Sequence, residues 1–290
     1  MSVISIVTPS YNQGAFIERT VRSVLGQGYP KLQYVIMDGG STDDTLEVLQ
    51  PYIRCVHYFH SGPDCGQADA IARGFDQTSG DILAYLNSDD LLAPGTLHFV
   101  AEYFDRHPDI DFVYSHRCFI DHDDRVTGHW FLPPHSNYLM RRWDLIPQET
   151  CFWRRSLFEA VGNIDSSYRF AMDYDLFVRM MARGKFRRVN RFLGAFRQHA
   201  SSKTSLQLET IGANEVRAVR KKYEIRERLK DKFLVDWFWN WVGHASRRFA
   251  KSNMALPGGF RGIGYSYNEV WGGLLTPFDE LQPVSQGNHQ

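Results

Sequence analysis

Two adjacent aspartates, Asp89 and Asp90, end an apolar run at Asn87-Ser88-Asp89-Asp90, just ahead of Pro94-Gly95. A turn needs one Asp or Asn, and neighbouring carboxylates repel unless a cation or a basic group shares the site. Hard oxygen ligands from few protein carboxylates suit magnesium or manganese held together with diphosphate oxygens. The plainer alternative is an Asx turn followed by a helix. A second acidic pair, Asp173 and Asp175, stands two residues apart near a helix start in AMDYDLFVRM. One of them can simply cap the helix or favour its dipole. A carboxylate there can equally serve as a general base, provided it faces a ligand. His199, in FRQHASSKT, is one of eleven histidines, and a lone histidine is more often structural than a ligand.

Other polar clusters follow apolar runs in the same way. Thr8-Pro9-Ser10-Tyr11-Asn12 offers Tyr11 for stacking on a base and the Thr8 hydroxyl for a ribose or base edge, although Pro-Ser is also an ordinary turn. Asp38-Gly39-Gly40-Ser41 permits close backbone approach to a ligand. Asp64 to Asp69 forms a further polar segment. Neither GxGxxG nor GxxxxGK[ST] occurs, so a dinucleotide fingerprint and a P-loop are both unsupported.

The elements that must position these groups alternate. VISIVT at 3–8 reads as a strand covered on both faces. Residues 14–26 then place Phe16, Ile17, Thr20, Val21, Val24 and Leu25 on one helical face. A second strand is expected at 32–37, with Ser41 or Thr42 capping the next helix, and a third near 55–59. A loop and helix follow over HSGPDCGQADAIARGF, and the fourth strand runs into Asn87. Strand and helix at this spacing predict βαβ units and a mainly parallel sheet, which binds ligands at the carboxyl ends of its strands. All the polar clusters sit at that edge.

After Asp109 the alternation loosens. Two strands around an Asp-His-Asp-Asp turn, a short helix ending at Gly162, a helix over 168–183 and a strand pair around 185–198 are expected. A long basic helix should run from Thr204 to about Lys230, and an aromatic one over 232–250. Residues 217–232 hold eight Lys/Arg against three acids. On the aromatic helix, Trp237, Phe238, Trp241 and Val242 are expected to share a face. That helix packs on the core, lies in a membrane interface, or meets a second copy as a homodimer.

Composition excludes several classes. The 290 residues are 43% hydrophobic with zero formal net charge, which permits a large core and argues against nucleic-acid binding by bulk electrostatics. Four scattered cysteines without CxxC spacing suit a reducing compartment. The start MSVISIVTPSYN reads as a strand rather than a signal peptide, and no run reaches the roughly 18 apolar residues of a membrane span. A cytoplasmic protein is expected, peripheral at the inner face of the cell membrane if the aromatic helix touches lipid.

Taken in order, VTPSYNQGAFIERTVRSVLGQ, YVIMDGGSTDDT, DCGQADAIARGF, GDILAYLNSDD, DYDLFVRM and RQHASSKT resemble the inverting family 2 glycosyltransferases with the GT-A fold, of the bacterial cell-surface polysaccharide type. The resemblance spans about residues 2–205 and implies an α/β GT-A domain over 1–205, with a helical, aromatic-rich extension over 206–290. It implies a nucleotide-diphosphate-sugar donor, a saccharide or lipid-linked acceptor and a Mn2+ or Mg2+ cofactor. Carried over by position, Thr8, Pro9, Tyr11 and Asp38 would hold the nucleoside, and Asp64 and Gln67 would lie in a second nucleoside and diphosphate loop. Asn87-Ser88-Asp89 occupies the family's DxD place, with Asp90 and His199 as further metal ligands. Asp173 matches the catalytic base. Asn87 replaces the usual first acid of that motif, Met172 the common Glu before the base, and Gly39 a frequent second Asp. A sugar-phosphate nucleotidyltransferase would normally carry a Gly-rich basic loop after the first strand, and TPSYNQGAF has no Lys or Arg. A non-catalytic sugar-nucleotide-binding protein would be favoured by loss of Asp89 and Asp173, and both are present. A metal-independent retaining enzyme stays open on pattern alone.

Overall fold

The first four apolar runs become β1 (Ile4–Ser10), β2 (Leu32–Asp38), β3 (Tyr58–Ser61) and β4 (Ile82–Tyr85), paired in parallel in the order β3-β2-β1-β4. This computed structural model describes residues 1–200, Ser202, 208–226 and 229–251. All seven residues of β1 are buried, as a strand covered on both faces requires. Helix α1 (Gly14–Leu25) buries Phe16, Ile17, Thr20, Val21, Val24 and Leu25, the face read from the sequence. Its aliphatics join Ile4, Ile6 and Ile36, each contributing about 1.5–3 kcal/mol by leaving water. On the other face Ile71 and Phe75 of α3 (Gln67–Asp76) pack on Val7, Val35 and Met37. Gly74 is needed there, because any Cβ would collide with Val7 and Met37.

Helix α2 (Thr45–Leu49) starts later than expected and is not capped by Ser41 or Thr42. The Ser41 hydroxyl is instead drawn back to Asp38. The third strand also starts later than expected, because Ile53–Cys55 is a 3-10 turn.

Beyond β4 come β5 (Leu91–Leu92), α4 (Thr96–Arg106), and the antiparallel pair β6 (Phe112–Ile120) and β7 (Val126–Trp130) around the Asp121–Asp124 turn. Then follow α5 (Asn137–Met140), β8 (Phe152–Arg154), α6 (Arg155–Val161), α7 (Met172–Met181) and β9 (Phe186–Arg197). Strand β8 lies antiparallel between β4 and β6, while β9 runs parallel to β6 and antiparallel to β5. The sheet is therefore parallel in its first half and mixed in its second. Where a strand pair was expected, β9 is one strand of 12 residues. Its polar middle, Arg187 to Arg191, imitates a turn in sequence, but two register shifts against β6 bend the strand without breaking it.

The expected long basic helix is shorter among the described residues. A π turn at Leu208–Gly212 leads into α8 (Ala213–Lys222), and Glu224 at φ 52 redirects the chain; residues 204–207 and 227–228 lie outside the described residues. Helix α9 (Leu229–Lys251) lies along β7, where the Ser246 hydroxyl donates to the His129 carbonyl at 2.8 Å. The four residues expected on one face of α9 divide. Phe238 and Val242 are buried in the core with Leu234 packed beside them, whereas Trp237 and Trp241 are 44% and 46% exposed. Successive residues turn by about 100°, so offsets of one and five leave the face that an offset of four keeps. Phe233, Trp237 and Trp241 form a separate outer stripe, and Trp239 projects from the opposite flank.

Candidate functional site

The strand ends of β1, β2 and β4 open onto a cleft of about 1100 Å³, closed on its other side by residues of β6, β7, β9, α7 and α9. Pro9, Tyr11, Asp64, Gln67, Asn87, Ser88, Asp89, Asp90 and Asp173 all line it. Residues from positions 9 to 173 are thus brought to one surface by the parallel strands and by α7.

Two loops form one end. The Asn12 N–H donates to Ser41 Oγ at 2.8 Å, and the Thr42 N–H donates to Asn12 Oδ1 at 2.8 Å, tying the loop after β1 to the loop after β2. Asn12 takes φ 52 to do so. Tyr11 is left 60% exposed, with its ring open to a ligand. Thr8 and Asp38 do not line the cleft. Thr8 is wholly buried and shares a 3.0 Å hydrogen bond with Tyr34 Oη. The Asp38 carboxylate accepts from the Gly40 and Ser41 N–H groups and from the Ser41 and Ser61 hydroxyls, so it organises the loop from beneath. Gln67 Nε2 donates to Asn87 Oδ1 at 2.7 Å, joining the third loop to the corner after β4.

That corner is braced from α1. Thr20 donates its hydroxyl to the carbonyls of Ser88 and Asp90 at 2.8 Å each. Asp89 lines the cleft, and its Oδ2 lies 3.0 Å from His199 Nε2. The His199 ring rests on Phe16 at 4.5 Å between centroids. Asp90 is 1% exposed and accepts the Arg197 N–H at 2.9 Å, which fastens the end of β9 to the cleft floor. Burial, then the charges of Asp89 and Glu149, push its pKa well above the usual carboxylate range. The wholly buried Arg197 donates its Nε to the Asp89 carbonyl at 2.7 Å and pairs with Asp124.

Among the described residues no three His, Cys, Asp or Glu side chains are grouped to hold an ion. Asp89 and His199 offer one carboxylate and one imidazole side by side. This donor set fits a magnesium or manganese ion that completes its shell with phosphate oxygens, as such ions commonly do.

The two aspartates of α7 have different surroundings. Asp175 is buried and bonded by Arg179 Nε, Lys222 Nζ and Tyr223 Oη at 2.8, 3.0 and 2.9 Å. It ties α7 to α8. Asp173 lies in the first turn and lines the cleft. The approach to that turn is clasped by Glu215 of α8, whose carboxylate accepts the N–H groups of Arg169, Phe170 and Ala171 at 2.9, 2.7 and 2.9 Å.

Several cleft residues have no counterpart among those expected. Arg117 of β6 forms a bidentate pair with Glu149 at 2.9 and 2.8 Å, and Glu149 is 2% exposed. Burial alone would lower the Arg117 pKa, but Glu149 and then Asp90 and Asp144 outweigh it and raise it. Asp144 is exposed and opens onto the cleft. In sequence, Arg117 reads as an outward polar residue of a strand and Glu149 as a loop acid. Only their pairing across 32 positions marks them.

Residues 5–162 match the family model described as glycosyl transferase family 2. A PGL/p-HBAD biosynthesis glycosyltransferase of Mycobacterium bovis (strain BCG / Pasteur 1173P2) is 31% identical over 181 residues, covering 61% of this chain and 69% of that protein. A structure of S. aureus TarS (1-349) in complex with UDP-GlcNAc superposes with a TM-score of 0.59 at 17% identity, covering 70% of this chain and 61% of that one. The mannosyltransferase PcManGT from Pyrobaculum calidifontis, in complex with GDP-Man and Mn2+, gives 0.58 at 17% identity, covering 78% and 65%. This chain spans less than two thirds of either solved structure, and at such identity the likeness is one of fold.

Proposed function

Since the chain belongs to glycosyl transferase family 2, we propose that it moves a sugar from a nucleotide-diphosphate-sugar donor to an acceptor hydroxyl with inversion at the anomeric carbon. The observation that carries this reading is the meeting of Tyr11, the Asp89–His199 corner and Asp173 around one cleft. Tyr11 stacks on the base, and Asp64 and Gln67 border the nucleoside and diphosphate. Asp89 and His199 would hold a magnesium or manganese ion, which when bound supplies Lewis-acid neutralisation of charge on the leaving diphosphate. Asp173 accepts the acceptor hydroxyl's proton on its carboxylate as that oxygen attacks C1. One displacement from the opposite face inverts the centre. The GT-A domain is taken as 1–205 and the extension as 206–290.

The donor class is supported by the UDP-GlcNAc and GDP-Man bound in the two structural neighbours, and the metal by the Mn2+ bound in one. The mycobacterial relative's place in PGL/p-HBAD biosynthesis supports a role in polysaccharide or glycolipid assembly. A screen of purified protein with manganese and a panel of nucleotide-sugars tests the reading. At least one donor should yield nucleoside diphosphate and a sugar transferred with inverted configuration. Pyrophosphate made from a sugar phosphate and a nucleoside triphosphate would point to nucleotidyl transfer instead.

No described helix is long and apolar enough to cross a membrane. We assign peripheral contact with the inner face of the membrane to the outer stripe of α9, Phe233, Trp237 and Trp241. Exposed Lys221, Arg226 and Arg248 on this extension would meet anionic head groups, each contributing roughly 1 kcal/mol near the surface. Wild type should float with anionic liposomes at low salt, and Trp237→Ala/Trp241→Ala should stay behind. Wild type left in the soluble fraction would assign the stripe to a homodimer contact.

A further inference from the structure

Trp130 of β7 and Trp239 of α9 meet edge to face at 5.0 Å, and Phe119 of β6 meets Trp130 in the same manner at 5.0 Å. All three rings line the cleft, together with Phe196 of β9. Edge-to-face packing fixes each ring by its neighbour, so the wall is preformed. The Arg117 guanidinium lies 5.1 Å from the Trp130 ring centroid and 4.7 Å from that of Phe196, held there by Glu149. Trp239 is still 39% exposed, although Phe238 beside it is 1% exposed. An aromatic surface left open in a cleft that also carries Asp144, Gln198 and Asp173 has a mixed character.

We propose that this wall is the acceptor subsite and that its ligand is a pyranose ring. The inference rests on the glycosyl-transfer reading and names the acceptor class for that same cleft. A pyranose presents C–H bonds, slightly positive, on one flat face, and these meet the negative face of an indole. Its rim of hydroxyls requires donors and acceptors, which Gln198 and Asp144 supply. An acyl chain would cover the rings but leave the Arg117 charge and the polar ends of Asp144 and Gln198 facing hydrocarbon, a costly arrangement for polar groups. Trp239 lies beyond the family-matched residues 5–162, so the C-terminal extension completes the subsite.

Saturation-transfer NMR reads this contact without turnover. The probes are methyl hexopyranosides, with decanol as the hydrocarbon competitor, in manganese with UDP or GDP. Wild type should saturate the ring C–H protons of at least one methyl hexopyranoside. Trp239→Ala should bind it about tenfold more weakly, the scale of one aromatic contact, and Trp239→Phe should recover most of the affinity. No saturation in wild type, equal binding by Trp239→Ala, or full displacement by decanol overturns the subsite. Saturation that depends on Trp239 in a protein that releases no nucleoside diphosphate from any donor would uphold the sugar site and overturn the transferase reading instead.

Discussion

Asp173→Asn is expected to lower turnover by about 10²-fold or more while leaving nucleotide-sugar affinity nearly intact, the scale of a lost general base. The amide keeps the shape of the side chain but cannot take the acceptor's proton. In the proposed reading, donor binding draws on Tyr11, Asp64 and the Asp89 corner, which line the same cleft and keep their own side chains in this variant. Asp175→Asn separates chemistry from folding, because it weakens a buried carboxylate that holds Arg179, Lys222 and Tyr223. Breaking a buried ion pair by removing one partner costs about 3–5 kcal/mol, so this variant should lose thermal stability first. Single-turnover transfer and calorimetric donor titration on both proteins make the comparison. Near-normal turnover in Asp173→Asn would remove the base from this position.

Asp89→Ala should abolish turnover, and EDTA should do the same to wild type, with manganese restoring activity only to the latter. The substitution removes the carboxylate that lies 3.0 Å from His199 Nε2 and leaves Asp90 pinned to the end of β9, where its Oδ1 is engaged by the Arg197 N–H. Asp90 is therefore poorly placed to substitute for its neighbour. Nucleoside-diphosphate release measured across a manganese titration gives the result. Full activity of wild type in EDTA would sink the metal role, and activity in Asp89→Ala would move it elsewhere in the cleft.

The side of the cleft built from the parallel strand ends was legible because strand ends announce themselves. VISIVT, LQYVIM and DILAY each run into polar residues, and parallel pairing sets Ser10 opposite Asp38 and Asp38 opposite Ser61. Alternation in the sequence is enough to place those loops together. It does not show which way a side chain turns once there, so Thr8 and Asp38, expected at the nucleoside, face inward to Tyr34 and to their own loop. The other half rests on contacts between elements far apart in the chain. Arg117 finds Glu149, Glu215 finds the turn before α7, and Trp239 finds Trp130. None of these follows a helical or strand period, so no local pattern could reveal them. The misplaced face of α9 has a simpler cause, since a grouping by offset of one spreads a quarter-turn and more around a helix.

A chain divided between α7 and α8 would sever the Glu215 clasp and leave the N–H groups of Arg169, Phe170 and Ala171 without that acceptor, directly ahead of Asp173. Helix α8 is therefore no detachable appendage of the residues that carry Asp173. Exchange of parts between related chains would respect a different seam. The loops after β1, β2 and β4 could travel as one block, while Asp173, Glu215 and Trp239 would have to be inherited together, as a set whose members lie on three successive helices.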